Sequence, residues 1–108
     1  MSLNIDLGAL EGEQLYNGFI NNISHMSDDE INFYFLKLDG RFLYEAGKNS
    51  NRISNDVKRK GFMKLEGKYI VEAMKHWKGI TKEDKKNILP KLMSDGRLYA
   101  QAVKILGH

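Results

Sequence analysis

The chain has no cysteine, which excludes disulfides, thiolate nucleophiles and every metal site built on sulfur. That absence fits a reducing compartment, and a cytoplasmic location is the expectation. With a single proline, Pro90, and no low-complexity tract, the chain reads as neither fibrous nor disordered. No run approaches the roughly 18 apolar residues of a membrane span, and the opening MSLNIDLGAL lacks the basic start and apolar stretch of a secretion signal. A soluble chain without a membrane partner is expected, with residues 1–8 a loosely ordered N-terminal segment. Also missing are nucleophile elbows, Walker-type loops, dinucleotide fingerprints and paired zinc-ligand motifs. The expectation is therefore no enzyme activity, no catalytic residue, no cofactor and no metal.

What the sequence does contain is enough for one folded unit. At 108 residues and 42% hydrophobic content the chain can bury one core and is too short for two, so residues 1–108 are expected to form a single helical domain. Its punctuation is that of helices. Residues 9–23 set Leu15, Phe19 and Ile23 at steps of four, one face of a helix. Ser27 followed by Glu30 is a capping box, and Asp28 and Asp29 complement the positive end of the helix that follows. Ser54 opens the longest expected helix, residues 55–78. Thr81 with Asp84 opens another that should end or kink at Leu89, because proline removes a hydrogen bond and clashes with the preceding turn. Ser94 and Asp95 cap a last helix in which Leu98, Ala102, Ile105 and Leu106 face inward.

Residues 31–47, INFYFLKLDGRFLYEAG, admit two drawings. Asp39-Gly40 is the preferred dipeptide of a two-residue hairpin turn, and a hairpin over residues 31–46 would make the protein α+β. Strict alternation fails on both sides of that turn, however, and the run lies between the Ser27 box and Gly47, which reads as a helix stop. The favoured drawing is one central helix, apolar on two sides, costing about 1 kcal/mol for an interior Gly40. The expected fold is an all-α bundle of about five helices.

Charge is unevenly distributed. Residues 1–54 hold eight acids and four bases, a net −4, whereas residues 55–108 hold thirteen bases and six acids, a net +7. On a wheel of residues 55–78, Leu65, Tyr69, Phe62, Ala73, Trp77, Ile70, Met63 and Met74 form the core arc. Lys60, Lys64, Lys68, Lys75 and Lys78 lie opposite, with Gly61, Gly67 and Val71 among them. Lys58 and Arg59 extend this ridge at its start, and Lys82, Lys85 and Lys86 follow it. Such a ridge fits a phosphate backbone, where each contact releases counterions. Thirteen lysines against four arginines favour a diffuse grip over bidentate base readout. The expectation is an accessory protein that binds DNA or RNA nonspecifically. The competing expectation is a protein-protein assembly module, a homo-oligomer sharing the two-sided helix of residues 31–46 and binding no nucleic acid.

Other features carry blander readings. His25 with Asp28, Asp29 and Glu30 is the only local group of metal-ligand types, and helix capping accounts for its acids. His76 is expected to border the core without a carboxylate to orient it. Tyr44 and Tyr99 are expected to pack rather than to stack on bases.

Overall fold

Each helix start marked by a polar side chain in the sequence is a helix start in the computed structural model, which describes residues 7–107. After a 3-10 turn at Leu7–Ala9, helix α1 (Gly12–Asn22) turns Leu15 and Phe19 inward. Helix α2 (Asp28–Phe35) begins on the full capping box: the Glu30 amide donates to Ser27 Oγ at 3.1 Å and the Ser27 amide to Glu30 Oε1 at 3.0 Å. Next come α3 (Gly40–Asn49) and α4 (Asn55–Lys64), the latter capped by Ser54 Oγ, which accepts from the Val57 amide. Helix α5 (Lys68–His76) precedes α6 (Lys82–Ile88), where Thr81 and Asp84 exchange both capping bonds at 3.1 Å. Pro90 ends that helix in a 3-10 turn, Leu89–Leu92, and α7 (Gly96–Leu106) starts on Asp95 Oδ1. The loosely ordered segment expected over residues 1–8 falls, for residues 1–6, outside the described residues; Leu7 is buried in the first turn.

The described residues are all helical and form no hairpin, but the helices number seven rather than about five. Both of the longest expected helices break at a glycine. Gly40, the first residue of α3, has φ +51° and Gly67, just before α5, has φ +57°, a conformation that a helix interior does not contain and that glycine adopts without strain. Splitting residues 31–46 also resolves their two apolar stripes. Helix α2 buries Ile31 and Phe35, α3 buries Leu43, Tyr44 and Ala46, and Leu38 is buried at the corner between them. Only Phe33 stays well exposed, with the Lys37 ammonium 4.7 Å from its ring centre.

Lys64 closes this corner. Its ammonium donates to the carbonyls of Leu36 and Leu38, the latter at 3.2 Å, and lies 3.7 Å from Asp39 Oδ1. Helix C-terminal carbonyls need such donors. Lys64→Met keeps the stem and removes the donor, so it is expected to lower the unfolding free energy by about 1 kcal/mol. Urea denaturation followed by circular dichroism checks this, and an unchanged midpoint would count against the clamp.

Gly47 is not the expected stop. Helix α3 continues to Asn49, and Gly47 lies inside it because a Cβ there would overlap the Trp77 ring. Trp77 Nε1 donates to the Tyr44 carbonyl at 2.9 Å, and its ring lies 6.1 Å from Phe35 and 6.2 Å from Phe62. Around this centre α3 packs on α1, α4 and α5, while α6 joins α4 to α7. The buried side chains form one cluster from Leu7 to Ala102.

Candidate nucleic-acid interface

The break at Gly67 divides the basic ridge. Lys58, Arg59, Lys60 and Lys64 lie on α4, Lys68 and Lys75 on α5, Lys78 just beyond it, and Lys82, Lys85 and Lys86 on α6. A single 24-residue wheel does not describe them, and two residues placed on its basic side are core. Val71 is buried, and Gly61 is buried so close to Phe35 that a Cβ would come within 2.6 Å of its ring. Met63, assigned to the core arc, is exposed instead.

Four of the ten basic residues are held by the protein itself. Arg59 makes a two-pronged bond to Asp84, Nε to Oδ2 at 2.8 Å and Nη2 to Oδ1 at 3.2 Å. Lys64 is the corner clamp, Lys75 lies 3.7 Å from Glu72 Oε1, and the Lys68 ammonium is 5.4 Å from the Tyr69 ring centre. The other six, Lys58, Lys60, Lys78, Lys82, Lys85 and Lys86, make no side-chain hydrogen bond or ion pair among the described residues. Lys82, Lys85 and Lys86 are spaced to share one side of α6, and Lys85 alone of those three is half-buried. Lys58 differs from the rest, being only 7% exposed. Burial, and then the nearby Lys78 ammonium, push its pKa down.

Asp84 is the acid that secures this region. The Arg59 hydrogen bond holds its carboxyl below the ordinary 3.8, with Thr81 assisting and burial opposing. Because the folded value is the lower one, the stabilisation is complete above the unfolded pKa and is lost as pH falls through the folded value. Wild-type protein is therefore expected to lose stability below about pH 4, and Asp84→Asn to flatten that acid limb. Melting temperatures from pH 7 to pH 2 provide the check; superimposable profiles would contradict the assignment.

Sequence reading missed several side chains. His76 is exposed and its Nε2 lies 3.6 Å from Glu72 Oε2, so the orienting carboxylate exists one helical turn earlier. His76 and Lys48 line a cleft with Lys58 and Lys78, a grouping of residues far apart in sequence that no local periodicity signals. Tyr44 is buried as expected, whereas Tyr99 is 36% exposed on α7, one turn from the exposed Val103. In the group around His25, Asp28 pairs with Arg52 at 3.2 Å and Glu30 completes the α2 cap. Arg52 also donates to the Ile23 and Met26 carbonyls, tying the polar loop after α3 to the turn before α2.

The described residues thus form an all-helical fold in which six lysines on α4, on α6 and just after α5 make no side-chain hydrogen bond or ion pair. No protein-family model, curated protein or solved structure matches the chain. No helix among the described residues is long and apolar enough to cross a membrane.

Proposed function

We propose that the protein is a non-catalytic accessory factor that binds nucleic acid through its phosphate backbone, without sequence preference. The contacts come from Lys60, Lys78, Lys82, Lys85 and Lys86. What supports this reading is that these five lysines reach the surface with no carboxylate engaged, while Arg59, Lys64 and Lys75 are committed within the fold. An ammonium already paired releases little on meeting a phosphate; an unpaired one displaces the strand's condensed counterions. Two of the four arginines, Arg52 and Arg59, are engaged, which leaves little for bidentate base recognition. The test is titration of labelled DNA and RNA oligonucleotides at about 50 mM salt. Binding of both with similar affinity is expected, and absence of binding to either overturns the reading.

Assembly through protein contacts is the second reading. Residues 31–46 support it less than their sequence does, because all but Phe33 of their large apolar side chains are buried or half-buried within the chain. The feature in its favour is Tyr99 and Val103, exposed one turn apart on α7. Light scattering at moderate and high salt separates the two readings: a stable oligomer with no oligonucleotide affinity favours assembly.

A further inference from the structure

A cleft of about 280 Å³ opens where α3 and α5 end beside the first turn of α4. Its walls are Gly47, Lys48, Asn49, Ser50 and Asn51 from the end of α3 and the loop after it, Lys58 from α4, and His76 and Lys78 from the end of α5. No carboxylate of the described residues lines it. We propose that this cleft is a phosphate site, taking one phosphoryl group either as free phosphate or a phosphomonoester, or as the terminal phosphate of a nucleic-acid strand.

Lys58 carries the inference. Only 7% of the residue's surface is exposed, and among the described residues its side chain has neither a hydrogen bond nor an ion pair. Its aliphatic stem is packed while its ammonium, with the Lys78 ammonium nearby, has no counter-charge, an arrangement that an anion in the cleft would stabilise. Its ammonium is not sealed off: among the described residues Asn32 Oδ1 is the only fully enclosed side-chain polar atom lacking a partner. The Lys58 ammonium therefore opens onto the cleft that the residue lines.

Helix dipoles explain part of this arrangement but not Lys58. Lys48 and His76 stand in the last turns of α3 and α5, where a cation offsets the partial negative end. The last carbonyls there are already engaged, since Ala46 accepts from the Ser50 amide at 3.1 Å and Ala73 from the Trp77 amide at 2.9 Å. Lys58 lies in the first turn of α4, the end that disfavours a cation. A tetrahedral dianion between Lys58, Lys78 and Lys48 would offset two of their three positive charges, with the Ser50 and Asn51 side chains available as further donors, while Asn49 Nδ2 already donates to Glu45 Oε2 at 3.3 Å. The cleft has room for the anion and several waters, each of about 30 Å³.

The site shares Lys78 with the proposed backbone contacts, whereas Lys60, Lys82, Lys85 and Lys86 do not line it. The test is an NMR titration of the full chain with inorganic phosphate, in chloride-matched buffer. Saturable shifts of the amides of residues 47–51 and 58 at millimolar phosphate are expected. Lys58→Met, which keeps the aliphatic stem, should abolish them while leaving the melting temperature unchanged or a few degrees higher, because a cation beside the Lys78 ammonium at the positive end of α4 has been removed. Lys78→Gln, at an exposed position, should weaken binding roughly tenfold. No saturable shift in the wild type, or the same shift in Lys58→Met, overturns the proposal.

Two strands distinguish the sources. Tighter binding of a 5′-phosphorylated oligonucleotide than of its 5′-hydroxyl twin, lost in Lys58→Met, assigns the cleft to a strand end. Equal binding of both, with phosphate still bound, assigns it to a small phosphorylated ligand. Phosphate binding with no affinity for either strand supports the cleft and removes backbone binding.

Discussion

Trp77→Ala is expected to lower the unfolding free energy by about 4 kcal/mol, a large share of the roughly 5–15 kcal/mol by which a domain is stable. Three contributions converge on this side chain. It is nearly buried, so its large apolar surface is lost to a cavity, and the rings of Phe35 and Phe62 lose a packed neighbour. The Tyr44 carbonyl loses the indole donor at 2.9 Å. The backbone at Gly47 came close because no Cβ stands between it and the indole, and a methyl group at residue 77 cannot refill that space. Trp77→Phe separates the terms, keeping a ring while deleting the donor, and should cost about 1–2 kcal/mol. Urea unfolding followed by circular dichroism measures both; a loss under about 1 kcal/mol for the alanine variant would remove Trp77 from the centre of the fold.

Changing Lys82, Lys85 and Lys86 together to glutamate is expected to weaken oligonucleotide binding at least about 100-fold at low salt. Three ammonium groups that release counterions are replaced by three carboxylates that repel the strand. The same variant should reduce the magnitude of the salt slope by about 2–3. These positions are suitable because none of the three side chains makes an ion pair or hydrogen bond within the described fold, so stability should change little. Lys64→Met is the matched control: it should lose stability through the α2 corner and keep its affinity within about threefold. If both variants bind alike, the unpaired lysines of α6 are not the contact surface.

The helix starts were legible because a cap is a local arrangement: Ser27, Ser54, Thr81 and Asp95 each bond a backbone amide two or three residues on. The breaks at Gly40 and Gly67 were not. An interior glycine costs only about 1 kcal/mol, so propensity cannot separate a tolerated glycine from a corner. What decides is tertiary: Leu38 and Leu65, each two residues before such a glycine, are both buried. Missing these corners changed the site as well as the helix count. A single ridge through both halves makes Lys58 and Lys64 both ligand contacts, whereas the folded chain buries the first and uses the second as a clamp.

Charge separation survived the reading because it is a property of composition. Which charges are free did not, since the partners are remote: Arg59 and Asp84 are 25 residues apart, and Lys64 and Leu36 are 28 apart. The Glu72 to His76 pair, four residues and one turn apart, is by contrast within reach of spacing alone.

The most direct measurement is the salt dependence of binding, read as fluorescence anisotropy of a labelled oligonucleotide between about 50 and 200 mM salt. Five phosphate contacts through Lys60, Lys78, Lys82, Lys85 and Lys86 predict a slope of log affinity against log salt near about −3.5 for single strands and about −4.5 for duplex, the same for unrelated sequences. No binding at the lowest salt, or a slope near zero, would contradict backbone recognition by these lysines.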